Sequence, residues 1–384
     1  MELFPAILIG GPPHSGKSVL AYSLSQALRR RGLAHYLLRA CPDGEGDWAN
    51  EIDQGRARVI RVKGRWSQDW VDYVCRDIAR RRLPLLVDVG GRPESWQEPI
   101  FSQCSHAVLL APTVEALAGW QAYAQRHGLT VLAELESSLT LPAHILAGRP
   151  IFRARLHGLE RGSLQSGPVF EALVEKLSPY FNYPAEELRR IHLAAAPVEN
   201  AIDLDEMARL LGLPFDSQKA TWQPGDLAAL LGQLPGGERL ALYGRGPNWL
   251  YAAVALQAWP AEFFQFDPRL GWISPPALKP GGAGPLLAWQ IEPRAAGAGL
   301  SFSSDSYLDY WQAGELAIPA PPDGPLIIGG RLPHWLLAGL ALAYRDAPLL
   351  AVHQPQTGNV VIQSRLAGYT PGDLFGTSSV GRGA

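Results

Sequence analysis

The stretch GRGPNWL at residues 244–250 and its near copy GRLPHWL at residues 330–336 decide the organisation of the C-terminal half of this chain. Each stretch follows an apolar run typical of a strand and precedes an Ala/Leu-rich run typical of a helix. A second apolar run and a Pro-x-x-Gly turn follow in both copies, as DPRLG at 267–271 and QPQTG at 354–358. The offset of 86 residues (330 minus 244) suits a duplicated small domain. Duplicated domains often pair through one face, which can seat a symmetric ligand.

The composition is that of an ordinary globular protein, with 384 residues, 47% hydrophobic, 18% charged and a net charge of −2. This length predicts two or three domains. The near-neutral charge gives no global attraction to nucleic acid or anionic lipid. Three widely spaced cysteines (Cys41, Cys75 and Cys104) suit a reducing compartment. Because we find no signal-peptide pattern and no long apolar run, we expect a cytoplasmic protein with neither a membrane nor a duplex nucleic-acid partner.

Residues 1–217 are predicted to form an α/β P-loop NTPase domain with a parallel sheet, because strand-like and helix-like runs alternate there. The strands are expected at 6–10, 35–40, 58–62, 85–89, 106–111 and 130–134, and the helices at 17–31, 68–82 and 114–127. Residues 165–215 look mainly helical and are expected to close the domain. Two small α+β repeats should follow at 218–283 and 284–384. The second repeat carries additional strand-like runs at 286–291 and 300–302.

The sequence GPPHSGKS at residues 11–18 matches the phosphate-binding pattern G-x-x-x-x-G-K-[ST] between a predicted strand and a predicted helix. In such a loop, backbone N–H groups and the helix N-terminus hold phosphates. Lys17 would reach the β- and γ-phosphates of ATP, Ser18 would ligate Mg²⁺, and Asp88 would anchor the metal or its waters. The alternative is a chance match in a Gly-rich turn. We assign ATP binding to Gly11, His14, Ser15, Gly16, Lys17, Ser18 and Asp88.

Two weaker features of the N-terminal half keep alternatives open. The acidic turn at residues 43–47 follows a predicted strand, where it would bind an acceptor substrate or a metal, or else be solvated. An arginine-rich segment resembles a nucleotide-kinase lid, whose arginines stabilise phosphoryl charge; the alternative is ordinary surface arginines. These arginines are Arg149, Arg153, Arg155 and Arg161.

The GRxPxWL motif has the chemistry of an anion-binding corner. Its glycine permits a tight turn and a close approach to a ligand, its proline starts a helix, and its arginine adds charge beside the open helix N-terminus. The tryptophan would either stack on a base or belong to the core. The bland alternative is a strand–turn–helix connection with no ligand. We assign ligand binding to Gly244, Arg245, Gly246, Gly330, Arg331 and Pro333.

Both repeats resemble the Csx-three family of CRISPR-associated proteins, which are ring nucleases of type III CRISPR systems. The resemblance covers about the last 165 residues and rests on the GRxPxWL motifs, on DPRLG at 267–271, on Tyr344 and on VVIQS at 360–364. The whole chain also looks like the known fusion of this family to an N-terminal P-loop domain, often labelled AAA. The family pattern commonly has a His before the Asp-Pro-Arg strand. The first copy has Trp259 at that place and the second has Arg345.

The resemblance implies binding of cyclic tetra-adenylate, a second messenger of antiviral defence, and its cleavage with Mn²⁺ assistance. In such a phosphodiester cleavage, a metal or an arginine stabilises charge on the phosphate while a ribose 2′-hydroxyl or a water attacks in line. The family Asp is kept as Asp267 but becomes Gln354 in the second copy. We therefore expect one composite site, with Asp267 (also a metal ligand) and Arg269 from the first copy and Arg331 and His334 from the second.

The leading hypothesis is a hydrolase that opens cyclic tetra-adenylate, with ATP in the N-terminal domain setting activity or assembly, and we expect a homo-oligomer. The catalytic set is Asp267, Arg269 and His334. One alternative is a sensor that binds the messenger without cutting it and regulates its own ATPase. Another is a P-loop kinase of small molecules or nucleotides, with its acceptor near residues 43–47.

Overall fold

The computed structural model describes residues 4–41, 67–91, 93–216, 219–282, 284, 286–294, 297–304 and 308–376. The acidic turn at 43–47 and the strand predicted at 58–62 lie outside these residues. Two compact units are present. The first comprises Met1–His192 with Pro268–Gly271, and the second comprises Leu193–Asp267 with Trp272–Ala384. Both predicted repeats therefore lie in the second unit, apart from Pro268–Gly271 of the first repeat.

The first unit is built on a sheet of seven strands, in the order β2-β3-β1-β4-β5-β7-β6. Its strands are β1 Ala6–Gly10, β2 Tyr36–Arg39, β3 Leu85–Asp88, β4 His106–Ala111, β5 Thr130–Ser138, β6 His144–Ala147 and β7 Phe152–His157. Its helices are α1 Lys17–Arg30, α2 Gln68–Ala79, α3 Pro99–Ser102, α4 Val114–Arg126, α5 Pro168–Leu177 and α6 Ala185–Ala194, the last of which runs into the second unit. The described strand pairs are parallel except for the edge pair of β6 and β7. The predicted parallel α/β sheet is confirmed.

Helices cover both faces of this sheet because its strands are apolar on both sides. In β1, Ile7 and Ile9 pack with α1 and α5 in one core cluster. The intervening Ala6 and Leu8 pack with α2 and α4 in another. Side chains of a strand alternate between faces, so a continuous apolar strand needs cover on each side. Because the strands are parallel, their carboxyl ends share one edge of the sheet, and the residue 11–18 loop lies at that edge.

The second unit contains two sheets that repeat one strand order. The first sheet runs β13-β12-β11-β8, and the second runs β18-β17-β16-β15 with β14 added at its edge. Their strands are β8 Ala201–Asp203, β11 Leu240–Tyr243, β12 Phe263–Asp267, β13 Gly271–Ile273, β14 Ala288–Arg294, β15 Gly297–Ser303, β16 Leu326–Gly330, β17 Leu349–Gln354 and β18 Gly358–Ser364; a short hairpin, β9 Phe215–Asp216 with β10 Lys219–Ala220, stands apart. The strands predicted at 286–291 and 300–302 correspond to β14 and β15.

The segment predicted to close the first domain contains a strand of the second unit. β8 pairs in parallel with β11, placing Asp203 beside Tyr243. The sheet of the first repeat therefore begins at residue 201, upstream of the boundary predicted at 217/218. The run is too short to stand out from the helical residues around it, and only its pairing with β11 makes it a strand.

The remaining helices are α7 Leu204–Leu210, α8 Leu227–Gly232, α9 Asn248–Ala258 and α10 His334–Ala343. The last two follow the GRxPxWL motifs and are apolar all round, with most of their residues buried. They pack against each other, and α9 also packs on β17 and β18. A helix without a polar face must be covered on every side, so the two repeats share one core. None of the helices in the described ranges is long and apolar enough to cross a bilayer.

Candidate functional site

The loop at residues 11–18 connects β1 to α1 with the geometry of a phosphate cradle. Gly16 immediately precedes α1 at φ 91°, and no side chain caps the helix N-terminus. The buried Ser15 hydroxyl has no hydrogen-bond partner in the described chain. Lys17 is buried, and its Nζ donates to the carbonyl of Pro12 at 2.7 Å. Open N–H groups at a helix start, next to a lysine, favour an anion.

Asp88 ends β3 beside this loop and is 1% exposed. It hydrogen-bonds with the side chain of Ser18 and forms an ion pair with Arg39, which lies opposite it at the end of β2. Burial raises the pKa of the Asp88 carboxyl, while the charges of Arg39 and Lys17 act in the opposite direction. The structure thus brings Lys17, Ser18 and Asp88 together as predicted.

The oxygen atoms of Ser18 and Asp88 fit the preference of Mg²⁺ for hard donors. One Asp88 oxygen, Oδ1, is buried without a hydrogen-bond partner among the described residues. Within the same residues, no group of three or more His, Cys, Asp or Glu side chains could hold a metal ion. A Mg²⁺ ion here would take its other ligands from nucleotide phosphates and water, as Mg²⁺ usually does.

Replacing Gly16 by alanine is expected to destabilise the first unit more than replacing Gly32. Both glycines have positive φ (91° and 71°), which costs about 1–2 kcal/mol with a Cβ. A Cβ at Gly16 would also lie 2.5 Å from Cβ of Leu159, whereas one at Gly32 would meet no described atom within 4 Å. Overpacking should add about 1–3 kcal/mol to the loss for Gly16→Ala. Urea unfolding measures both variants, and equal losses would contradict the described contact.

Two of the four arginines of the predicted lid lie on a strand. Arg153 and Arg155 lie on β7, opposite Glu134 and Glu136 of β5, and pair with them at 2.7 and 2.9 Å. The residues of β7 alternate between buried and less buried positions. This period of two is typical of a strand, and it makes these two arginines cross-strand partners.

In the second unit, residues of both repeats meet around Tyr251 of α9. Its hydroxyl donates to the carbonyl of Gly244 at 2.6 Å. Its ring lies against the imidazole of His334 at the start of α10, with 4.3 Å between ring centroids. Asp267, at the end of β12, interacts electrostatically with both rings. The structure therefore brings together Asp267 from the first repeat and His334 from the second, as predicted.

The electrostatics of this group keep the imidazole of His334 neutral. Burial lowers the pKa of His334, and the charge of Asp267 only partly opposes this. His334 Nδ1 is buried without a hydrogen-bond partner in the described chain. Burial, then the charge of Asp267, raise the pKa of the Tyr251 hydroxyl, while Arg245 acts in the opposite direction. A neutral imidazole beside a carboxylate has the chemistry of a proton acceptor.

The predicted ligand-binding residues lie in the loops that carry each motif. Arg245 and Arg331 are exposed. Gly244 and Gly330 have φ of 112° and 135°, so both turns use a conformation that favours glycine. Gly246 precedes the residue that leads into α9, and Pro333 leads into α10 in the same way. Each corner thus presents an exposed arginine beside a helix N-terminus.

The motif tryptophans belong to the core. Trp249 is 1% exposed and Trp335 is 3% exposed. The edge of the Trp335 ring meets Tyr310, with 5.4 Å between centroids. Of the two readings of the tryptophan, base stacking and core packing, the structure supports core packing.

Arg269, predicted as catalytic, has a different partner. The segment Pro268–Gly271 belongs to the first unit, where Arg269 forms an ion pair with Asp77 of α2 at 3.2 Å. The two side chains are 11% and 5% exposed. The sequence analysis assigned Arg269 to the site of Asp267 from the resemblance of DPRLG at 267–271 to the family motif. Its guanidinium is instead committed to a buried carboxylate, so the structure gives it a structural contact.

Replacing Asp77 by alanine is expected to reduce the free energy of unfolding by about 3–5 kcal/mol, because it removes the carboxylate that pairs with the buried Arg269 charge. The double variant Asp77→Leu/Arg269→Met should be close to neutral, since it removes both charges together. Urea unfolding tests both variants. An unchanged free energy of unfolding in Asp77→Ala, or loss of ring cleavage in a stable double variant, would support the predicted catalytic role of Arg269.

Sequence reasoning missed Arg39, Tyr251 and Gln265, and it noted Gln354 only as the replacement of an aspartate. Gln265 in β12 and Gln354 at the end of β17 each have a buried amide oxygen without a hydrogen-bond partner in the described chain. A signal existed for Gln265, which is polar within the apolar strand FFQFD. Arg39 ends a predicted strand, but its position beside Asp88 follows only once β2 and β3 are known to be neighbours. Tyr251 gave no signal, because its role depends on a residue of the other repeat.

The comparisons with known proteins bear on the C-terminal part of the chain. Residues 301–375 match the family model described as CRISPR-associated protein (Cas_csx3). The matched segment runs from β15 through α10 to β18 and includes His334. No curated protein matches the chain. The C-terminal part of this chain therefore contains a domain similar to the Csx-three family of CRISPR-associated proteins, which associates the chain with CRISPR systems.

Proposed function

We propose that the paired repeats bind cyclic tetra-adenylate and cleave it, with ATP and Mg²⁺ held by the first unit controlling activity or assembly. The observation that carries this proposal is the contact between the two repeats: His334 of one lies against Tyr251 and near Asp267 of the other. The match of residues 301–375 supports the CRISPR context. The first repeat, which has the same strand order, is proposed to be a second Csx-three-like domain.

The arginines of the two motif corners supply the charge that a ring of phosphates needs. Arg245 and Arg331 are both exposed and would hold phosphate oxygens. His334 would accept a proton from the attacking hydroxyl, and Asp267 would stabilise the resulting imidazolium. Mn²⁺ would be held by Asp267 with the substrate phosphate, because the described residues offer too few donors for a protein-only site there. We further propose a cytoplasmic homo-oligomer.

The test is to incubate the purified chain with labelled cyclic tetra-adenylate and Mn²⁺ and to separate the products. A linear product is expected. Tight binding without any product would exclude the nuclease and leave the sensor, for which ATP turnover should change when the messenger is added. Absence of binding would exclude both.

A second candidate function is phosphoryl transfer from ATP to a small acceptor. A groove of about 650 Å³ opens in the first unit among the loops that follow β5 and β7, lined by residues that include Pro142, His157 and Gln165. The residue 11–18 loop lies at the same edge of the sheet, where α/β folds bind ligands. Product analysis with ATP and a panel of nucleosides tests this. Phosphorylated nucleosides would favour the kinase, and their absence would exclude this class of acceptor.

A further inference from the structure

The two repeats contact each other through equivalent positions. Trp259 and Arg345 are separated by the repeat offset of 86 (345 minus 259), and the Arg345 guanidinium lies 4.1 Å from the Trp259 ring centroid. The equivalent helices α9 and α10 also pack together. Contacts between equivalent parts are what a two-fold arrangement produces. The repeats therefore pair as related halves, and each functional group in one half has a counterpart in the other.

The counterparts of the groups around Tyr251 follow from offset and register. β11 pairs with β12 at a separation of 23 residues (263 minus 240), and β16 pairs with β17 at 24 (350 minus 326), so the offset of 86 between α9 and α10 becomes 87 from β12 and β17 onward. The counterparts of Tyr251, Asp267 and His334 are therefore Leu337, Gln354 and Asn248.

These counterpart residues cannot transfer protons as Tyr251, Asp267 and His334 can. Leucine has no polar atom, and the amides of asparagine and glutamine neither accept a proton at neutral pH nor carry charge. The amide of Gln354 can still hydrogen-bond a ligand, because its buried oxygen has no partner among the described residues. Tyr251, Asp267 and His334 thus have counterparts without acid–base groups at the equivalent positions. His353, next to Gln354, is a histidine of the second repeat outside this set, and its Nδ1 is hydrogen-bonded with Asn359 Oδ1 at 2.8 Å.

Resting on the proposed function, we infer that each chain holds one cleavage centre, made by Tyr251, Asp267 and His334, and one counterpart that only binds. A ring seated on the repeat pair is then opened once and released as linear tetra-adenylate. A symmetric pair with two cleavage centres would instead divide the ring into dinucleotides.

The single cut is an isomerisation and needs no further reactant. The ribose 2′-oxygen bonds to the adjacent phosphorus while the bond from phosphorus to the 5′-oxygen breaks. The 2′-hydroxyl proton passes to the His334 imidazole, and the departing oxygen takes a proton from water. The resulting hydroxide then removes the proton from the imidazolium. The product is one chain with a terminal cyclic phosphate and a 5′-hydroxyl.

A pulse–chase experiment counts the cuts made in one binding event. Labelled cyclic tetra-adenylate is bound to excess full-length chain, and Mn²⁺ is then added together with a large excess of unlabelled ring, which captures the chain once the labelled product leaves. We expect labelled linear tetra-adenylate as the main product. A second linkage should be cut at least about 100-fold more slowly, because the counterpart site lacks acid–base groups. Labelled dinucleotides as the main product would overturn the inference while leaving the proposed function intact. No cleavage of bound ring would overturn both.

A rebuilt counterpart provides an independent measurement. The triple variant Asn248→His/Leu337→Tyr/Gln354→Asp restores the three groups on the second side. We expect dinucleotides to appear in the same pulse–chase experiment. His334→Ala in the otherwise unchanged chain should form neither product, and its cleavage at the wild-type rate would overturn the inference even if the triple variant does not fold.

Discussion

Replacing His334 by alanine is expected to slow opening of cyclic tetra-adenylate by about 10²–10⁴-fold, the usual contribution of a positioned acid–base group. The imidazole lies 4.3 Å from the Tyr251 ring and is neutral because burial lowers its pKa. It can therefore accept a proton at neutral pH. The measurement is the single-turnover rate with chain in excess over labelled ring.

The matched control for this variant is Asn248→Ala at the equivalent position of the first repeat. Asn248 also begins a helix after a motif proline, but it has no basic group. At a chain concentration that saturates binding, the control should keep the single-turnover rate within a few-fold of wild type, because Asn248 is placed in the binding counterpart and not in the cleavage centre. Messenger binding should survive in both variants, since the exposed arginines of the two corners are unchanged. Equal rates in His334→Ala and wild type would remove His334 from the chemistry.

The wild-type rate should also depend on pH in a defined direction. His334 must be neutral to accept a proton, and burial places its pKa below the ordinary value of about 6.5. The rate should therefore hold near neutral pH and decrease as the pH falls through the lowered pKa of His334. A rate that rises on acidification would contradict the role of His334 as proton acceptor.

Replacing Lys17 by alanine is expected to weaken ATP binding by about 100-fold or more. Lys17 would donate charge-assisted hydrogen bonds to two phosphates, and the alanine variant loses both. Each bond is worth about 1.5–3 kcal/mol, and a loss of about 3 kcal/mol corresponds to a factor of more than 100 in affinity. In the structure, its Nζ is held 2.7 Å from the Pro12 carbonyl at the phosphate loop. The measurement is the ATP-dependent rise of the melting temperature, which follows occupancy.

Lys176→Ala is the matched control, because Lys176 also donates to a proline carbonyl, that of Pro150 at 3.1 Å, but lies in an exposed contact on α5. It should keep the full ATP-dependent rise. The repeats should remain folded in Lys17→Ala and bind the messenger as before. A normal ATP-dependent rise in Lys17→Ala would show that the residue 11–18 loop does not hold the nucleotide.

Much of the first unit could be read from local sequence. Its strands are long apolar runs, and its parallel order follows from their alternation with amphipathic helices. The pattern at residues 11–18 concentrates its signal in consecutive residues, so Lys17 and Ser18 could be assigned to the candidate site directly. Asp88 was found because it ends a strongly apolar strand. Arg39, its ion-pair partner, was missed because their proximity depends on which strands are neighbours.

The arginine predictions show what local sequence does not specify, namely the partner of a charged side chain. Arg153 and Arg155 carry the charge of a lid, yet β7 pairs them with glutamates of β5. Arg269 lies in the Pro-x-x-Gly turn of the first repeat, yet it forms an ion pair with a buried carboxylate of α2. Residue type indicates what a side chain can bind. It does not indicate which of several charged groups the fold will bring within reach.

The sequence by itself determined the alternating α/β pattern, the strand–loop–helix unit around residues 11–18 and the turns that need glycine, because each is encoded by residues close together in the chain. Only the tertiary structure decided that β8 belongs to the sheet of the first repeat and that Arg269 forms an ion pair with Asp77. It also decided that Tyr251 contacts His334 of the other repeat and that Asp267 lies near it. These outcomes depend on contacts between residues far apart in the chain. Such contacts depend on which surfaces the apolar helices and the strand edges pack against. Local sequence patterns do not specify those surfaces.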